Sequence, residues 1–401
     1  MPRSLSDPVA EFPVRIAIFT NTYWPTVNGV AISIRNLREG LNNLGHEVHV
    51  FAPAPREFDL GQDEPLTHRF LSVPAPVKAD YPLAVPISPH LRKALGGLKF
   101  DLIHTHHPMW VGVWGQWFAR RQHIPIVTTI HTQYEIYSEL IPLPDAVINA
   151  FLRNRVITYC NRCHIVTTPA ESSKQRLLSR GVTTPIEVVY NPTDLTACRT
   201  ADGSALRRQL GCGEGDPLLG YIGRLAPEKN LHALLDAGDI ILPQMPRARM
   251  VVVGDGPSRT ELEQRVKTMK HGDRISFAGR VEHDQVPVYD AALDLFVTPS
   301  MFEVQPLSFA EAMAAGTPVI AMDAPGANDM IEDGCNGRLV PTSEQGAGLA
   351  RATLETLNTE NRLAEMSQRS RDWARRYDLP SVVERVLQVY DKALARAGKR
   401  G

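Results

Sequence analysis

The sequence predicts an α/β protein of two doubly wound, parallel-sheet domains, and three observations carry that prediction. The chain has 401 residues, two to three times an ordinary domain, so two cores are the starting expectation. In both halves short apolar runs alternate with segments of helical period, the pattern of strands covered on both faces by helices. The alternation is interrupted once, at residues 194–216 (DLTACRTADGSALRRQLGCGEGD), where a linker is expected. A composition of 43% hydrophobic and 22% charged residues excludes a disordered or fibrous chain. The formal charge of −1 tells against a dedicated nucleic-acid binder.

The elements follow in order. Residues 15–20 (RIAIFT) read as a strand, followed by a loop with Asn28-Gly29. Residues 32–44 place Ile34, Leu37, Leu41 and Leu44 at helical spacing, and Gly45 suits the C-terminal end of that helix. Residues 47–52 (EVHVFA), 102–104, 124–130, 164–168 and 186–190 are the next strands. After the linker come strands at 218–222, 250–253, 275–277, 293–298 and 318–321, and an amphipathic helix at 381–397. Five cysteines are too few for a disulfide framework, and Cys160 and Cys163 lack the second pair of a zinc site. A reduced, cytoplasmic protein is expected. Residues 1–13 show no apolar leader, and no apolar run reaches the roughly 18–20 residues of a spanning helix.

In open α/β sheets ligands sit at the carboxyl ends of strands, so the loops there are the candidates. Gly29 allows a ligand close to the backbone, before a helix N-terminus suited to an anion. Arg224 and Lys229, in GRLAPEKN directly after the strand 218–222, can converge on a diphosphate. Glu303 precedes a helix expected to start near Leu307-Ser308, and Glu311 lies within it. Their carboxylates can take vicinal hydroxyls, and the helix start can take a phosphate. His131 follows the strand 124–130 and emerges at the same sheet edge as Gly29. His104, His106 and His107 (HTHH) could suggest a metal cluster, but no carboxylate stands at matching spacing, and no metal is expected. Asp-x-Asp is absent from the chain.

Together these residues resemble the retaining glycosyltransferases of family 4, with the GT-B fold. The resemblance runs from the Asn28-Gly29 loop through GRLAPEKN, VVVGDGPSRTELE, ISFAGRV, LDLFVTPS and the E-x7-E segment from Glu303 to Glu311. It implies two Rossmann-like domains facing a central cleft: 1–195 for the acceptor, 196–378 for a nucleotide-sugar donor, and 379–401 as a helix returning to the first domain. It further implies that Arg224 and Lys229 bind the donor diphosphate without metal, that Glu311 takes the ribose and that Glu303 takes the sugar. Leu307, Ser308, Gly29 and Asn191 would lie against the donor, His131 near the reacting centre, and Arg280 and Val281 at the base. Val304 departs from the family's Glu-Gly-aromatic-Gly run. The stretch HTQYEIYSELIPLP resembles bacterial diacylglycerol α-glucosyltransferases, which implies a lipid acceptor near Tyr134 and Glu135. Residues 146–162, with Arg153, Arg155 and Arg162 among apolar residues, suit an anionic membrane surface, on the inner face of the cell membrane. A GDP-mannose-dependent mannosyltransferase and a nucleotide-sugar epimerase are the alternatives, so the donor nucleotide is UDP or GDP.

Overall fold

The computed structural model describes residues 13–398 except 27, 55–62, 71, 75–81, 85–94, 96, 132–144 and 360. The chain divides into two compact units, Met1–Pro192 with Leu379–Gly401, and Thr193–Asp378. The strands of the first unit are β1 (Arg15–Phe19), β2 (Glu47–Pro53), β3 (Thr67–Phe70), β4 (Ser72–Pro74), β5 (Pro82–Ala84), β6 (Leu102–Thr105), β7 (Ile126–Thr129), β8 (Ile165–Thr168) and β9 (Ile186–Val188). Seven of them form one sheet in the order β3-β2-β1-β6-β7-β8-β9, and β4 pairs with β5 separately. Every ladder in the large sheet is parallel.

Alternation along β1 explains the two layers that cover this sheet. Ile16 and Ile18 point to one face, where they join Ile34, Leu37 and Leu41 of the helix Gly29–Asn43. The terminal helix Leu379–Arg396 completes that layer with Val382, Val386, Leu387 and Tyr390. Ala17 and Phe19 point to the other face, against Val111, Phe118 and Ala119 of the helix Val111–Gln122.

The second unit contains β10 (Leu218–Ile222), β11 (Arg249–Val253), β12 (Ile275–Gly279), β13 (Leu295–Thr298), β14 (Val319–Met322) and β15 (Gly337–Val340). Its six-stranded sheet has the order β12-β11-β10-β13-β14-β15, parallel throughout. Leu219, Tyr221, Val252, Leu295 and Ile320 form its core with Leu234, Leu235 and Ile241 of the helix Leu231–Gln244.

One reading is corrected. Residues 194–216 are not a linker; they hold the helices Thr196–Thr200 and Ser204–Gln209 within the second unit. The polar residues that suggested a linker are structural. Asp194 accepts from the Thr196 N–H at 3.0 Å, Asp202 accepts from Ser204 at 2.9 Å, and Arg207 reaches Asp294 at 2.9 Å. The chain instead passes between units at Pro192–Thr193 and returns at Asp378–Leu379. There the Thr193 N–H donates to the Tyr377 carbonyl at 3.1 Å.

Candidate active site

The strand order of the second sheet reverses between β10 and β13, and the loops leaving their carboxyl ends flank that switch point. The first loop carries Arg224 and Lys229. The Tyr221 hydroxyl donates to the Arg224 carbonyl at 3.1 Å, and the Leu225 N–H donates to the Asp255 carbonyl at 2.9 Å, which fixes the loop against β11. Lys229 ends the single 3-10 turn Pro227–Lys229. The second loop carries Glu303, whose N–H donates to the Pro325 carbonyl at 3.1 Å. Gly326 backs it at φ 84°, and a Cβ there would lie 2.6 Å from the Glu303 carbonyl carbon. Glycine is therefore required for that close approach.

These two loops meet: the Lys229 ammonium is ion-paired with the Glu303 carboxylate, both side chains being about four-fifths buried. Arg224 pairs with Glu228 at a more open position. Both cations thus have a carboxylate partner within the unit, a pairing their sequence separation does not disclose for Lys229. The helix Leu307–Ala315 begins directly beyond Glu303, and no side chain caps its N-terminus. The N–H groups of Leu307 and Ser308 are left for an anion. One turn farther along, Glu311 is half-buried. Burial raises its carboxyl above the ordinary value, with a smaller opposing pull from His283. Arg280 is exposed and Val281 half-buried just after β12, at the sheet edge away from the switch point.

Sequence reasoning missed Asp290, on the helix Val286–Ala292. It is 1% exposed, and neither carboxylate oxygen has a hydrogen-bond partner. Burial and the charge of Glu311 push its carboxyl well above the usual range. The one signal was a lone carboxylate among buried positions of that short helix. In the unfolded chain Asp ionises near pH 4. Between that value and its folded-state value the folded protein binds the extra proton, so this group weakens the fold as pH rises. Asp290→Asn is expected to stabilise the second unit at neutral pH, by about 1.4 kcal/mol for each pH unit separating the two values. The gain should vanish near pH 4 in denaturant titrations; a gain independent of pH would contradict the assignment.

In the first unit the loops after β1, β6 and β7 carry the remaining candidates. Gly29 is exposed and opens its helix, which Asn28 caps by accepting from the Ala31 N–H at 2.9 Å. His131, just past β7, is 6% exposed, and its Nε2 lies 2.8 Å from His106 Nδ1. Asn191 lies beyond β9, and its Oδ1 accepts from the Ser33 hydroxyl at 3.1 Å. The HTHH histidines serve hydrogen bonds: His104 reaches the Tyr390 hydroxyl at 2.8 Å and Thr129 at 2.7 Å, and His107 accepts from the Asn21 N–H at 3.2 Å. Among the described residues no three His, Cys, Asp or Glu side chains are grouped to hold a metal ion. Cys160 and Cys163 are buried free thiols. Tyr134 and Glu135 lie outside the described residues.

Two parallel Rossmann-like sheets, with cations and carboxylates at the switch point of the second, define a two-unit α/β protein of GT-B type. The chain belongs to the GT-B glycosyltransferases: residues 27–197 match Glycosyltransferase Family 4 and residues 203–373 match Glycosyl transferases group 1. It is 30% identical to the alpha-monoglucosyldiacylglycerol synthase of Streptococcus pneumoniae, over 86% of this chain and 78% of that protein. Identity to the Acholeplasma laidlawii protein of the same name is 27%, over 96% and 100%. A GDP-mannose-dependent alpha-mannosyltransferase of Mycobacterium tuberculosis is 29% identical over 96% of this chain and 98% of its own. Among solved structures, Anabaena Alr3699/HepE in complex with UDP superposes with a TM-score of 0.76 at 22% identity, covering 94% of this chain and 99% of that one.

Proposed function

We propose that this glycosyltransferase is a retaining, metal-independent enzyme that moves a hexose from a nucleotide-diphosphate sugar to a membrane lipid such as diacylglycerol. The observation that carries the donor half is the convergence of Lys229, Glu303 and the uncapped helix N-terminus at Leu307 and Ser308 beside one switch point. A donor diphosphate would draw Lys229 from Glu303 and Arg224 from Glu228, and the two cations would offset charge growing on the leaving group. Glu303, once released, would accept hydroxyls of the transferred sugar, while Glu311 would take those of the ribose. No side-chain nucleophile is needed: the acceptor oxygen would attack the face the diphosphate leaves, with a donor phosphate oxygen taking its proton. UDP in the solved HepE complex supports a nucleoside diphosphate as the bound group.

The lipid half is supported by the names of the Streptococcus and Acholeplasma relatives and by the surface of the first unit. No helix of the described residues is long and apolar enough to cross a membrane. Two neighbouring helices instead expose aromatic and basic residues. Phe151 is 67% exposed on the helix Asp145–Cys160, beside exposed Arg153 and Arg155, with Arg162 just beyond. Trp117 is exposed on the helix Val111–Gln122 and Trp110 just before it, and Arg121 lies over the Trp117 ring at 5.7 Å. The Tyr159 hydroxyl donates to the Gly112 carbonyl at 2.9 Å and joins the two helices. Aromatic rings with cations suit the interface of an anionic bilayer on the inner face of the cell membrane.

A donor panel read by hydrolysis, followed by an acceptor panel in anionic vesicles, tests both halves. UDP-glucose with diacylglycerol is the expected pair. Turnover with GDP-mannose alone, which the mycobacterial relative favours as the second reading, would overturn the glucosyl assignment. Transfer only to soluble sugars would overturn the lipid assignment.

A further inference from the structure

Arg224 has an open side chain on an anchored backbone, and the backbone is what aims it. The side chain is 60% exposed, and among the described residues its guanidinium has one polar partner, Glu228, four positions on in the same loop. That ion pair travels with the loop and ties Arg224 to nothing beneath it. The peptides on either side are held to the next strand. The Gly223 N–H donates to the Val253 carbonyl at 3.0 Å, and the Leu225 N–H donates to the Asp255 carbonyl at 2.9 Å. The carbonyl of Arg224 itself accepts from the Ala226 N–H at 3.2 Å, a contact within the loop, and from the Tyr221 hydroxyl at 3.1 Å.

Tyr221 is the fixed end of that last contact. It lies in β10, is 3% exposed, and packs in the core of the second unit with its ring centroid 6.1 Å from that of Phe296. Burial and, to a smaller extent, the charge of Glu303 raise its phenol further above the ordinary value, so the hydroxyl keeps its proton and donates. Gly223 makes room for it. A Cβ at that position would lie 2.8 Å from the Tyr221 hydroxyl oxygen and 3.1 Å from the ring carbon that bears it. A side chain at residue 223 would therefore crowd the hydroxyl away from the Arg224 carbonyl.

We infer that Tyr221 is a positioning residue for the transfer reaction: its hydroxyl, admitted by the bare Gly223, holds the Arg224 peptide so that the guanidinium is aimed before a diphosphate arrives. A charge stabiliser set in place beforehand needs no rearrangement as the transition state forms. Phenylalanine at 221 would keep the packed ring and leave the Arg224 carbonyl with its contact inside the loop alone. The inference rests on the reading of Arg224 as a ligand of the donor diphosphate.

The test is a double-mutant cycle on the full chain, read as kcat/KM for hydrolysis of UDP-glucose, or of GDP-mannose where the donor panel selects it. Tyr221→Phe should lower kcat/KM about fivefold to tenfold, the effect of one hydrogen bond, with the thermal midpoint little changed. Arg224→Ala keeps the backbone carbonyl but removes the group being aimed. In that background Tyr221→Phe should cost less than about twofold. Gly223→Ala should also lower kcat/KM, and should add little once Tyr221 is phenylalanine. Wild-type turnover of Tyr221→Phe would overturn the inference. An impaired Arg224→Ala in which Tyr221→Phe costs as much as in the wild-type background would overturn it alone, because a hydroxyl that merely supports the fold behaves that way. Wild-type turnover of Arg224→Ala would overturn the diphosphate reading itself, and the inference with it.

Discussion

Alanine at Lys229 is expected to lower kcat/KM by about 100- to 1,000-fold, the loss typical of removing one preorganised charge stabiliser from a transition state. The fold should survive, because the site lies on a loop and the Glu303 side chain left behind retains 18% exposure to water. The loss has two parts. The diphosphate loses a cation, and the carboxylate of Glu303 is left unneutralised beside an incoming anion. Lys229→Ala combined with Glu303→Gln should therefore cost less than the sum of the two single changes, as contacting charges usually do in a double-mutant cycle. Near-wild-type turnover of Lys229→Ala on the preferred nucleotide sugar would sink the diphosphate assignment. Strict additivity would show that the pair does not act as a unit.

Acidification should unfold the first unit well before the second. His104 and His107 are held down to about 3 and His131 to about 4, each chiefly by burial, and His106 is also held well below its ordinary value by burial. The unfolded chain takes up these protons near pH 6.5, the folded chain only at much lower pH. The unfolded state therefore binds more protons in that interval, and stability falls as pH drops below about 6.5. Four such groups steepen the fall to about 5 kcal/mol per pH unit when all are in range. The second unit has the opposite trend from Asp290, whose raised carboxyl favours the fold at low pH. Four of the five tryptophans, Trp24, Trp110, Trp114 and Trp117, belong to the first unit and only Trp373 to the second. Tryptophan fluorescence in urea should thus show a major transition that moves to lower denaturant between pH 7.5 and 5.5. An unmoved major transition would mean that the histidines are not buried neutral.

The parts legible in the sequence are those encoded locally. β10 was read over its full length because five consecutive apolar or small residues sit between loops, and the motif after it announced Arg224 and Lys229. The helix expected to start near Leu307-Ser308 begins at Leu307. β3 (THRF) and β15 (GRLV) went unread, because each is a short edge strand whose outer side needs no apolar residue. Residues 194–216 were misread for a related reason: Asp, Ser and Thr serve helix caps as well as loops. Pairing was least legible. Glu303 lies 74 positions from Lys229 and His131 lies 25 from His106, and neither separation has a period that links them. Only the parallel strand order brings such loops to one edge.

The passage of the chain out at Pro192 and back at Leu379 makes the second unit an insertion within the first. During synthesis from the N-terminus, residues 193–378 are complete before the helix Leu379–Arg396 exists. Until that helix emerges, β1, β2, β6 and β7 present Ile16, Ile18, Val48, Val50, Leu102 and Val127 without the Val382, Val386, Leu387 and Tyr390 that cover them. The nascent chain therefore completes its second unit while the earlier-made half waits with an open apolar face, the kind of surface that chaperones hold. The last helix is thus a lock on folding order: the first unit to begin is the last to close.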